Sequence, residues 1–399
     1  MKRAEPARQP VDNTEVYIRP SSLEIATCSV PGFLKPEAPV VPSSLDPIEA
    51  LETALLPALA RPPCLVAFSG GRDSSAVLAA AVRLARREGL PLPVALTRRW
   101  PAYPDTDEAE WQELVIRHLG VTDWEPLDFE ENDVIGPTCS PSLRRIGVLW
   151  PPLAHSWPPM FAKAQGGSFV TGEGGDEVFG DRRCVWLRRA LWPNPTKRVV
   201  ARAALSLAPR PVRRIAGKRR LEREFPTPWL LPRARERLYR TLAEDDAREP
   251  LRWGASMRWH LRQRSVAVGS HNFRLLAAES DVVLHEPLLD PGFLGALSSR
   301  AQWLGFPGRT RAMQAIFGSL LPEEVLARQT KAYTTSTVFG PWTRKFVREW
   351  TGSGVDTTLV DQEALRRTWA AADIPVATLL LVQHSWLALS GVEPAHEKA

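Results

Sequence analysis

The feature that most constrains this chain is the stretch Val66–Ser75, VAFSGGRDSS, where an apolar run ends in two glycines, a carboxylate and three hydroxyls. Leu65–Phe68 is short, apolar and followed by turn residues, the pattern of a strand buried on both faces. From Asp73 the chain reads DSSAVLAAAVRLARRE, apolar on one side and basic on the other, which predicts a helix of about four turns. A strand that turns directly into a helix puts the connecting loop at a helix N-terminus, where unpaired N–H groups and the dipole favour anions. Gly70 and Gly71 let the backbone come close to such an anion, and Ser69, Ser74 and Ser75 carry hydroxyls that can donate to its oxygens. Asp73 would repel a phosphate unless a cation stood between them, so the loop predicts a phosphate site that includes Mg²⁺.

The same alternation continues downstream. A helical pattern, PIEALETALLPALA, precedes the loop with Asp46 as its cap. LPVALT at 92–97 reads as a second strand, and DTDEAEWQELVIRHLG as a helix with acids in its first turn and Gly120 past its end. DWEPLDF reads as a third strand and SFVTG at 168–172 as a fourth. Strands alternating with helices predict an α/β fold with a parallel sheet covered on both faces, spanning about residues 61–190. Beyond residue 185 or so the pattern is helical and no further strand is predicted. A basic helical insertion at about 190–250 and a helical part at 251–399 complete one domain, 49–399. Residues 1–48 are polar and proline-rich, and are expected to form an N-terminal extension and linker.

Composition narrows the function classes. Four scattered cysteines, with no C-x-x-C pair, argue against a disulfide framework and against a cysteine-built zinc site. No apolar run is long enough to cross a bilayer and the N-terminus lacks a signal-peptide core, so a cytoplasmic chain with no membrane partner is expected. Much of the net charge of +6 lies between Arg182 and Arg240. That region reads better as a solvated helical insertion in an arginine-rich chain than as a polyanion footprint, so nucleic acid is not an expected partner.

The loop S-G-G-x-D-S resembles the pyrophosphate-binding loop of the ATP pyrophosphatase (PP-loop) superfamily, which splits ATP between its α and β phosphates to adenylate a substrate. VTGEGGDEVFG at 170–180 resembles the S-G-E-G-x-D-E-x-F-G signature of asparagine synthetases and their relatives, again just after an apolar run. HEPLLDPGFLGAL at 285–297 resembles that family's V-P-F-L-D segment, and LPEEVLARQTKAYTTS at 321–336 the segment with its active-site lysine. The resemblance covers about residues 50–345, in the family's order. It implies a synthetase domain using ATP and Mg²⁺, with Asp73 and Asp176 as metal ligands. Ser69, Gly70, Gly71, Asp73, Ser74, Ser75, Gly174 and Gly175 would hold the nucleotide, with Arg311 of GRTRAM as a further phosphate residue. Glu173 and Lys331 would be the catalytic residues. The implied reaction is amide formation through an acyl-adenylate, with a small-molecule or peptide carboxylate as substrate.

Two departures from asparagine synthetase matter. Position 2 is Lys2 and barely sixty residues precede the loop, so no glutaminase domain is expected. The nitrogen must then come as ammonia, as an amine, or from a partner glutaminase. Glu173 stands where β-lactam synthetases have a tyrosine, which argues against β-lactam formation. His285 in HEPLLD and the RQTKAYT segment are similar to lasso-peptide cyclases, so a macrolactam-forming cyclase is the alternative, ahead of an RNA-modifying PP-loop enzyme or a non-catalytic nucleotide-binding protein.

Overall fold

The computed structural model describes residues 16–34, 41–330 and 335–390. Five parallel strands form one sheet: β1 (Cys64–Ala67), β2 (Val94–Arg99), β3 (Trp124–Asp128), β4 (Ser168–Val170) and β5 (Val283–His285), ordered β3-β2-β1-β4-β5. The first four lie where the apolar runs predict them. The fifth is a correction, since it falls in the half expected to hold no strand. It pairs Phe169 with Leu284 and Val170 with His285 at the sheet edge, and it is only three residues long.

The period-two alternation of the strands divides the core between the sheet's faces. Val66 and Val170 join one apolar cluster, with Leu51, Val77 and Phe293 from the helices on that side. Leu65 and Phe169 point the other way, into a cluster with Phe161, Phe273 and Leu276. The helix Pro47–Leu59 begins at Asp46, whose carboxylate accepts from the Ile48 N–H at 2.9 Å. The helix Arg72–Glu88 starts directly after the loop and ends at Gly89 with φ +64°, a left-handed C-cap that glycine adopts without strain.

The strand order reverses between β1 and β4. The chain builds outward from β1 through β2 to β3, then returns to lay β4 on β1's other side. In an open parallel sheet that reversal leaves a crevice beyond the strands' C-terminal ends. The loops after β1 and β4, which carry SGGRD and TGEGGD, flank it.

A third apolar cluster lies in the helical half and includes Trp229, Trp350, Trp369 and Leu380. Ala26 belongs to it, so part of the N-terminal extension is not a bare linker. Trp229 Nε1 donates to the Ala26 carbonyl at 2.9 Å, and Asn272 Nδ2 donates to the Ile18 carbonyl at 3.0 Å. The basic region is a set of helices whose charge is partly matched. The helix Arg210–Glu224 pairs with Pro232–Asp246 through Lys218–Glu236 at 2.6 Å, Arg220–Asp246 at 2.9 Å and Arg214–Glu244 at 3.2 Å. No helix among the described residues is long and apolar enough to cross a membrane.

Candidate active site

A cavity of about 560 Å³ opens at the strand ends on the crevice. Ser69, Gly71, Asp73 and Ser74 line it from the first loop, and Glu173, Gly174, Gly175 and Asp176 from the second. The loops are in close contact. A Cβ on Gly175 would stand 2.6 Å from Asp73 Oδ2, and one on Gly172 would stand 3.0 Å from the Ser74 backbone nitrogen. Gly175 therefore serves close approach rather than backbone conformation, and Gly172 leaves a side chain little room.

Gly70 turns the first loop with φ +78°, and Gly71 caps the helix Arg72–Glu88. Ser74 Oγ donates to the Gly71 carbonyl at 3.1 Å and lies 3.1 Å from Ser69 Oγ, so these hydroxyls brace the loop. Ser75 is fully buried, with no hydrogen-bond partner on its hydroxyl among the described residues, and is not on the cavity wall.

Asp73 and Asp176 converge on one cation. Arg309 Nη2 donates to Asp73 Oδ2 and its Nη1 to Asp176 Oδ1. Burial pushes the Asp73 carboxyl above the ordinary range; Arg309 pulls it back, and the Asp176 charge pushes it up again. Burial works against the Arg309 charge, but the two carboxylates outweigh it and hold its pKa above the ordinary value.

Arg311 does not join them. It is exposed and donates to Gln314 Oε1 at 3.3 Å, outside the cavity wall. Helix geometry explains the difference: positions two apart are rotated by about 200°, so Arg309 and Arg311 cannot face the same cleft. Arg309 opens the helix Arg309–Phe317, and the basic run GRTRAM was the signal that could have singled it out.

Two further cations, Arg328 and Arg98, were not foreseen from sequence. Arg328, 8% exposed, donates to Glu108 Oε2 at 2.7 Å and to the Gly70 carbonyl at 3.2 Å, and lies over the Trp111 ring at 4.6 Å. It thereby ties the RQTKAYT segment to the phosphate loop, with Gln329 and Thr330 also on the cavity wall. Lys331 lies outside the described residues. At the end of β2, Arg98 lies 4.5 Å from the Trp157 ring and 5.4 Å from Trp100, and donates to Ser156 Oγ at 3.0 Å. Burial lowers its pKa to about 10. Glu173 reaches the cavity from the β4 side, its backbone N–H donating to Thr171 Oγ1 at 3.4 Å.

The residues fit a magnesium ion. Asp73 Oδ1 is buried and accepts no hydrogen bond from the described residues, and the Asp176 carboxylate shares the same cleft. One or two carboxylates completed by phosphate oxygens and water form an ordinary Mg²⁺ set.

A five-stranded parallel sheet with a glycine turn on each side of its switch point and a cavity between them defines an α/β protein with a parallel-sheet core. The family model described as asparagine synthase matches residues 49–389, and the chain belongs to that family. Membership supports an ATP-dependent, amide-forming carbon–nitrogen ligase. No curated protein matches the chain.

Proposed function

We propose that the protein activates a carboxylate as its acyl-adenylate and transfers the acyl group to ammonia or an amine. The observation that carries this reading is the meeting of Asp73 and Asp176 at the switch point, on the two loops whose motifs point to ATP chemistry. In the first step a carboxylate oxygen of the substrate attacks the α-phosphorus of ATP. The bond from that phosphorus to the bridging oxygen breaks, and pyrophosphate leaves with the electron pair. The N–H groups opening the helix Arg72–Glu88 would meet the departing phosphates, and Arg309 on the same cavity wall would supply positive charge beside them. Asp73 and Asp176 are the residues that would hold Mg²⁺, which when bound neutralises charge on the triphosphate. Lys331, next in the chain after Thr330 of the cavity wall, is assigned the charge that stabilises the pyrophosphate.

In the second step the nitrogen attacks the acyl carbon, its proton passes to the Glu173 carboxylate, and AMP departs with the electrons of the acyl–oxygen bond. The products are an amide, AMP and pyrophosphate. The test is incubation with Mg-ATP and carboxylates, aspartate first, with and without ammonia. Carboxylate-dependent pyrophosphate release supports the reading, and release of ADP with orthophosphate contradicts it.

A further inference from the structure

The basic helices outside the cleft have an apolar outer side. Of seventeen large hydrophobic side chains exposed among the described residues, six fall between 191 and 215: Leu191, Trp192, Val200, Leu207, Val212 and Ile215. On the helix Lys197–Leu207, Val200, Ala204 and Leu207 recur at helical spacing and are exposed, while Ala203 and Ser206 on another side are buried. On Arg210–Glu224, Val212, Ile215 and Arg219 share one side. The opposite side carries Arg214 and Lys218, which pair with acids of the neighbouring helix. Only Ala208 and Pro209 separate the two helices.

The stretch that carries most of these apolar side chains has charge of one sign. Residues 182–221 contain thirteen Lys or Arg and no Asp or Glu. Lys197, Arg198 and Arg219 make no ion pair among the described residues. Apolar side chains that penetrate a headgroup boundary, an indole at their edge and cations that meet phosphates are the composition of a helix lying in a lipid interface. A nucleic-acid strand would use the cations but gain little from exposed Val, Leu and Ile.

We propose that the outer side of Lys197–Leu207 and Arg210–Glu224 docks on an anionic lipid surface. The expectation of no membrane partner rested on the lack of a spanning run, and a helix lying in the interface needs none. This proposal is independent of the ligase reading.

The test is flotation of the full chain with vesicles of phosphatidylcholine alone and with about one third phosphatidylglycerol added. The chain should float with the anionic vesicles, stay behind with the neutral ones, and be released by added salt. Leu207→Glu with Ile215→Glu should weaken flotation at least about tenfold, as should Lys197→Glu with Arg219→Glu. Unchanged circular dichroism and unfolding midpoints would show that both variants fold. Absence of flotation with anionic vesicles, or full flotation by both variants, overturns the proposal. A solution dimer that Leu207→Glu with Ile215→Glu converts to monomer, or tRNA binding lost in both variants, also overturns it when no vesicles are bound.

Discussion

Asp73 and Asp176, which end two turns on adjacent strands, share one guanidinium, that of Arg309. Two carboxylates that close would repel each other across a half-buried cleft, so the arrangement persists only with positive charge between or beside them. That requirement makes this pair the centre of the account, and Arg309 the first residue to test.

Arg309→Ala should lower pyrophosphate release by about 100-fold, with Arg309→Lys intermediate because it loses the fork that reaches both acids. Arg311→Ala should stay within about twofold, since its side chain bonds Gln314 instead. Steady-state kinetics on the three variants decides which arginine of GRTRAM serves the cleft.

Asp73 gives a prediction with a defined sign. Its folded-state pKa is raised, chiefly by burial, so the stability it contributes is full below the ordinary carboxylate pKa and is lost as pH rises through the raised value. Near neutral pH the charged form costs stability. Asp73→Asn should therefore unfold at or above the wild-type temperature at pH 7 while losing activity by about 100-fold or more. Thermal scans across acid to neutral pH, paired with activity, check both halves.

The Arg328–Glu108 pair is buried on both sides, with side chains 5% and 9% exposed. Arg328→Ala removes that guanidinium from Glu108 and from the Gly70 carbonyl, and should cost about 3 kcal/mol. Adding Glu108→Gln should restore much of the loss, because the buried charge goes with it. Urea unfolding of both variants measures it.

Gly175→Ala tests the close approach itself. The added methyl would press on Asp73 Oδ2 at 2.6 Å, which should cost about 1–3 kcal/mol and displace the carboxylate enough to lower activity by about tenfold. Gly217→Ala is the control. Its Cβ would meet nothing nearer than 3.8 Å on a helix, so it should be neutral or stabilise by up to about 1 kcal/mol.

Much of the core could be read from residue order. The runs at Leu65, Val94, Trp124 and Ser168 each became a parallel strand; the central strands β1 and β4 are largely buried and so continuous in hydrophobicity, whereas β3 at the edge is only partly buried. β5 escaped because three residues at a sheet edge, with Val283 38% exposed, carry too little periodic signal. Both glycine turns announced themselves by composition, and the strand order then brought them together. Arg309 was hidden by a two-residue choice that only a helix phase could settle. Arg328 and Glu108 meet only in the fold, as do Asn272 and Ile18, and no local pattern marks a partner that distant. The amphipathic side of Lys197–Leu207 was obscured by its arginines, which made a charged region out of a half-apolar one.

The most direct measurement is product analysis with Mg-ATP, a panel of amino-acid and peptide carboxylates, and ammonia or an amine, on wild type and Asp176→Asn. AMP and pyrophosphate should form in equal amounts, dependent on one of the carboxylates, and both should be lost together in the variant. Formation of ADP and orthophosphate, or undiminished AMP from Asp176→Asn, would contradict the proposed reaction.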